Sequence, residues 1–544
     1  MRPVLLGLIW LCGSCARHSG RELAPEVTAR THGPYRIVRN AILDVAGRPF
    51  LLRGTHVAPL TENTKPRDGF DPLSATALIT IRQRLNMNAI RVALDPAEYV
   101  RSEEYRARAD RLLHLANDLE LLVVVEASSP DDAFWPRIAT RFRDEPDVFF
   151  APLHREFVAA IRNAGARQPV IVEGDPLPDP GAIYQVSPRY AGTQAVWDRM
   201  RAAAEKVPVL ADGLDPELAM AGGECSAFPA DPGAATKLVE TKLAWLDQQQ
   251  ISSTLSSFTA GHLVTDYWGF NGTKLDDGWT CRQPTAVPAG LGIVLLSHLW
   301  RASPLGLFAV SQSRGGLELG RGAIATVYGP TLADEDLSAR SPLPTELGNI
   351  SVQITDSRDV VRLAPLLYTG AGWSFVNFIV PEECATGPAE LAIVRKDGST
   401  AKSRVQIRDV APALLTAPSD GRGAAVAFVT QHGGTEKSVP AWTCEGGCRT
   451  LPIPFSRDGA TTVQLLGSGF RFARDTKNIR AVANGIPVPV VSVAPAPVPG
   501  NDQLTIQLPD SLIGAGEVEF YFRVDGELSN VVLLNCGSAR GAGS

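Results

Sequence analysis

Five apolar residues stand in a row at Leu121-Leu122-Val123-Val124-Val125, closed by Glu126. A strand with one wet face alternates apolar and polar side chains, so an unbroken run means that both faces are covered. Sheets covered on both faces are parallel sheets with helices packed against them. Related runs recur along the first half of the chain: Phe50-Leu51-Leu52 leading into Arg53-Gly54-Thr55-His56, Ala89 to Leu94, Val148 to Leu153, Pro169 to Glu173, a weaker run near Tyr190, Pro208 to Asp212, and Ile251 to Phe258. The segments between them have helix period. Tyr105, Ala109, Leu112, Ala116 and Leu119 step by four and three, as do Ala235, Val239, Leu243 and Leu246. Eight strand–helix units over residues 30–303 predict an α/β fold of the (β/α)8 TIM-barrel class. A doubly wound open sheet would carry a Gly-rich phosphate turn after an early strand, and none is present.

Past residue 303 the helical period disappears, Pro and Gly become dense, and short strands recur, which predicts all-β sandwiches. An internal repeat divides this half. Val376 to Pro381 corresponds to Leu504 to Pro509, and Gly387 to Val394 corresponds to Gly514 to Phe522, at a period of about 130 residues. Two sandwiches follow, over 304–415 and 416–544, with a linker from Ala411-Pro412 to Ser419.

The first residues read as an export leader over 1–22. Arg2 supplies the positive start, Val4 to Leu11 the apolar stretch, and Gly13-Ser14-Cys15-Ala16 the small residues of a cleavage site. The apolar stretch is too short to span a bilayer. Cleavage after Ala16 implies a secreted or cell-surface protein; Cys15 would equally suit lipidation, and association with the cell envelope fits either. The net charge of −6 offers no basic footprint for nucleic acid. Cys12 and Cys15 belong to the leader. Cys225, Cys281, Cys384, Cys444, Cys448 and Cys536 remain, an even number for which disulfides are the default reading in an exported chain. Cys225 with Cys281 and Cys444 with Cys448 are the expected pairs, which leaves Cys384 with Cys536. No metal or other cofactor is expected: Cys444 and Cys448 lack a second pair of ligands.

A barrel of this class keeps its site where the strands end. Arg53 and His56 close the first strand, Arg91 lies in the second, Glu126 closes the third, and His154, Arg155 and Glu156 follow the fourth. Glu173 and Asp175 close the fifth and Asp212 the seventh. Four strand ends therefore carry carboxylates, which permits the paired-carboxylate chemistry of glycoside hydrolysis. Carboxylates at such a rim also serve merely as helix caps.

Leu52-Arg53-Gly54-Thr55-His56, Asn86-Met87-Asn88-Ala89-Ile90-Arg91-Val92, Asp144 to Phe150 and the hairpin around Asp44 to Pro49 resemble glycoside hydrolase family 5 over about residues 35 to 300. The resemblance implies that Arg91 orients a nucleophile on strand seven, and that an Asn-Glu pair ends strand four. Here strand four is followed by His154-Arg155-Glu156, strand seven carries Asp212 where Glu is expected, strand six has Ser187 in place of His, and strand eight has Ser-Phe in place of an indole. With those departures, the resemblance implies Glu156 as acid/base, Asp212 as nucleophile and Arg91 as its orienting cation. His56, Glu126, His154, Tyr190 and Trp268 are the candidate substrate-binding residues. The C-terminal repeats resemble the paired immunoglobulin-like domains of exported soil-bacterial proteins.

Three functions stay open at this point. One is a retaining hydrolase of a β-glucan or β-mannan, acting as a monomer on a polysaccharide or oligosaccharide. Another is a glycan-binding barrel without turnover. The last is a surface adhesion or structural protein.

Overall fold

The structure is a computed structural model. It describes residues 33–61, 71, 73–152, 154–174, 179–187, 194–214, 241–255, 298, 308–328, 332–371, 375–419, 421, 423–431, 437–456 and 461–539. The leader, Cys225, Cys281, Tyr190 and Trp268 lie outside the described residues, and so does the pairing expected of those two cysteines.

Eight parallel strands close into a barrel: β1 (Arg53–His56), β2 (Ala89–Leu94), β3 (Leu122–Ala127), β4 (Val148–Ala151), β5 (Val170–Glu173), β6 (Ala182–Val186), β7 (Val209–Leu214) and β8 (Ser252–Leu255), with β8 returning to β1. The sixth strand is Ala182–Val186, not the run near Tyr190. In the sequence Pro188 follows it, and a proline has no N–H to donate to a ladder. The apolar run that opened the sequence is β3, with Leu122 to Val125 fully buried. Its two faces have different neighbours. Val123 and Val125 pack outward with the helices. Leu122 and Val124 pack inward with Ala89, Phe149, Ile171, Ile183 and Leu210 from other strands. Gly54 lets β1 and β2 approach closely, since a Cβ there would lie 2.6 Å from the Ala89 carbonyl oxygen.

The helices start where their sequences allow. Asp95 caps α2 (Pro96–Arg101), with proline at its first turn, and Ser102 caps α3 (Glu103–Asp118) by accepting from the Tyr105 amide. The first helix, α1 (Ala75–Ile79), runs on into a π-helical turn, Thr80–Arg84. Its cap comes from far away. Glu519 accepts hydrogen bonds from the Ala75 and Thr76 amides, both at 2.9 Å, and from the Thr76 hydroxyl. Ser74 takes the Ala77 amide. The last domain is thereby seated on the barrel. Gln83 donates to the Leu528 carbonyl at 2.7 Å, Arg523 pairs with Glu120, and Tyr521, Leu528 and Val531 join the barrel's outer core.

The C-terminal half forms two β-sandwiches with one topology. In the first, Ile324–Tyr328 pairs with Phe375–Ile379, and Glu318–Gly320 lies parallel to Thr400–Arg408. In the second, Thr461–Ser468 pairs with Asp502–Leu508, and Pro452–Phe455 lies parallel to Val532–Ala539. The sequence repeat is thus a repeat of strand order. The linker expected at 411–419 is partly strand: Ala413–Leu414 pairs with residues of Thr461–Ser468.

Cys444 and Cys448 are bridged, closing the exposed turn between two short strands. Cys384 and Cys536 are not. Each is free and fully buried in a different sandwich core, so the expected pair is corrected: packing between two separate cores keeps the thiols apart. Burial pushes each thiol up to about 11, so both stay protonated and behave as small apolar fillers.

Candidate active site

Seven barrel strands send polar side chains to one largely buried network at the end where strands finish. Register places His56 beside Arg91 and Glu173 beside Gln185. Asp212, from the fourth position of β7, is at the centre, with its side chain 5% exposed. His56 Nε2 donates to Asp212 Oδ1 at 3.0 Å, Arg91 Nη1 lies 2.9 Å from the same oxygen, and the Thr254 hydroxyl on β8 donates to it as well. Among the described residues Asp212 Oδ2 receives one bond, from Gln185 Nε2 on β6 at 3.2 Å.

Burial alone would push the Asp212 carboxyl up. The His56 hydrogen bond, the Arg91 charge and the Thr254 hydroxyl outweigh it and hold the group down at about 2. Asp212 is therefore a fixed anion across the physiological range.

Arg91 is itself fully buried and fully used. Its Nε donates to Glu126 at 2.6 Å, and Nη1 reaches Gln185 Oε1 at 2.7 Å as well as Asp212. Gln185 ties the network together: its carbonyl accepts from Arg91, and its amide nitrogen reaches Glu173 Oε1 at 2.8 Å and Asp212 Oδ2. Ser187, where the sequence resemblance would have placed His, donates to Glu173 Oε1 at 3.0 Å.

The structure thus brings together Arg91, Asp212, His56 and Glu126. It does not bring in Glu156 and His154. Glu156 stands just ahead of α5 (Phe157–Asn163), makes no capping bond and has its side chain 67% exposed. Its ionic partner is His154, with Nδ1 and Oε1 3.8 Å apart. Among the described residues, no hydrogen bond or ion pair links either of them to Asp212. Two other aromatics of the first half are packing residues: Trp135 is buried inside α4 (Phe134–Phe142), and Trp197, on α6 (Gln194–Ala204), meets Trp245 edge to face.

Gln185 and Thr254 carry no charge, so the pattern of carboxylates and cations along the strands does not point to them. Both lie inside their strands. The signal that finds them is the two-residue period: Gln185 shares its inward parity with the buried Ile183. Among the described residues no three His, Cys, Asp or Glu side chains gather as metal ligands.

No protein-family model matches the chain, and no curated protein matches it. Solved structures similar to it include a β-glucanase from Saccharophagus degradans in complex with cellotetraose, at TM-score 0.38 and 16% identity over 51% of this chain and 96% of that one. The catalytic domain of a Thermobifida fusca endoglucanase, also with cellotetraose, aligns at TM-score 0.35 and 15% identity over 49% and 97%. Endo-glycoceramidase II from a Rhodococcus species aligns at TM-score 0.33 and 12% identity over 67% and 99%.

Proposed function

We propose that this barrel is an exported glycoside hydrolase acting on a β-linked glucan or mannan, with Asp212 as the nucleophile of a retaining displacement. The observation that carries this reading is the asymmetric occupation of Asp212. Among the described residues three donors crowd Oδ1, whereas Oδ2 takes a single bond at 3.2 Å. A nucleophile has to be ionised and to keep one oxygen for the anomeric carbon. The resemblance of the Arg91 segment to family 5 supports the same assignment, and the Arg2-to-Ala16 leader supports export.

One observation favours the second reading, glycan binding without turnover. The Gln185 amide nitrogen bonds to both Glu173 and Asp212, and so stands between two carboxylates of the network. A single set of measurements separates the two. The protein and its D212N variant are offered cellotetraose, mixed-linkage β-glucan and β-mannan, with reducing ends and binding both recorded. The hydrolase reading expects turnover that D212N removes. Turnover that persists in D212N sinks the nucleophile assignment, and binding without turnover in the parent protein establishes the second reading.

A further inference from the structure

We infer that the second carboxylate of the reaction is Glu173, on the fifth strand, and not Glu156 after the fourth; this rests on the hydrolase reading above. Geometry selects it. Gln185 Nε2 lies 2.8 Å from Glu173 Oε1 and 3.2 Å from Asp212 Oδ2, so those two oxygens are no farther apart than the two distances laid end to end. Retaining glycosidases hold their carboxyl groups about 5–5.5 Å apart, and inverting ones about 6.5–9.5 Å to admit a water. The Glu173–Asp212 oxygens therefore lie closer than the inverting spacing, which fits the retaining class.

Chemistry separates Glu173 from its neighbours. Glu126 is bound to Arg91 at 2.6 Å, an ion pair that an acid giving up and recovering a proton would have to break each cycle. Glu173 has no cationic partner among the described residues. Among the described residues its hydrogen bonds come from Gln185 and Ser187, and both fall on Oε1. Oε2 remains for the exchanging proton, and the side chain is exposed where a leaving group departs. Among the described residues the ionic partner of Glu156 is His154. Gln185 is then a positioning residue that sets the separation of the pair.

The steps balance with water as the only co-reactant. Asp212 Oδ2 bonds to the anomeric carbon as the glycosidic bond breaks; the bonding pair stays on the leaving oxygen, which takes the proton from Glu173. In the second half, Glu173 takes a proton from water, the water oxygen bonds to the anomeric carbon, and the ester bond to Asp212 breaks.

The test compares E173A, E173Q and E156Q in the full chain on mixed-linkage β-glucan, β-mannan and dinitrophenyl β-cellobioside. E173Q is expected to lose about 10²–10⁴-fold on the polymer that the parent cleaves, and far less on the dinitrophenyl glycoside, whose leaving group needs no proton. Azide should restore E173A with formation of the β-glycosyl azide, a rescue that also shows the variant is folded. E156Q should stay within about threefold of the parent, well under the loss of an acid/base. Loss of turnover in E156Q with E173Q unaffected overturns this inference and leaves the hydrolase reading standing. A parent protein with no turnover on any of these substrates overturns both.

Discussion

Asp212 and Asp247 lie at opposite ends of the same barrel, and each is held at about 2. For both, burial pushes the carboxyl up and is outweighed by a histidine hydrogen bond and an arginine charge. His56 and Arg91 act on Asp212; His298 and Arg53 act on Asp247. Asp247 belongs to the helical stretch at 241–248 and meets Arg53 where β1 begins. The small cavity beside it is lined mainly by apolar side chains, Met87, Leu243, Leu246 and Leu255, with Ser253 and Gly54. Asp212 is surrounded by hydrogen-bonding side chains from four other strands, one of which leads on to an exposed carboxylate. A depressed carboxylate is therefore no marker of a reactive centre by itself. What separates the two is that the hydrogen bonds around Asp212 lead through Gln185 to an exposed carboxylate, Glu173.

The sharpest test of this difference is turnover. D212N is expected to lose at least about 10³-fold, while D247N stays near the parent value in the same assay; equal losses would erase the distinction. The next largest effect is on stability. R91M strands the buried Asp212 and the adjoining Glu126 without their cation, and should cost about 3–5 kcal/mol in urea unfolding. D247N, at a site 30% exposed, should cost roughly 1–2 kcal/mol.

Acid treats the two ends alike. Each folded carboxyl lies below its ordinary value of 3.8, so its stabilisation is complete well above that value and is lost as pH falls through it toward about 2. Thermal melts between neutral pH and pH 2 should show a shallower acid limb in D212N and in D247N, by roughly 2 kcal/mol for the more buried Asp212. The smallest effect concerns the seam between domains. E519A opens the first turn of α1 and should cost about 1 kcal/mol in denaturant. An unchanged midpoint would mean that the cap contributes nothing.

The legible part of this molecule is the part written in adjacent residues. Leu121 to Val125 announces a doubly covered strand, Arg91 and Asp212 stand at strand positions where an inward side chain is expected, and the sandwich repeat shows in paired segments. Gln185 and Thr254 stayed hidden because their role depends on the register of neighbouring strands around a closed barrel. Asp247 stayed hidden because helix period alone does not say which residue meets the start of a strand 194 positions away. The free Cys384 and Cys536 show the limit of counting: an even number of thiols says nothing of which cores they fill.

The cap on α1 also bears on the order in which the chain can assemble. Glu519 is 444 residues beyond the amide it satisfies. Until that residue has been synthesised, two amides of the barrel's first helix have only water to bond, and Gln83 in the π-helical turn lacks its carbonyl acceptors. The barrel is drawn first and completed last. Shortening the protein at the end of the barrel would remove part of the wall on which its first helix rests, as well as two appended domains.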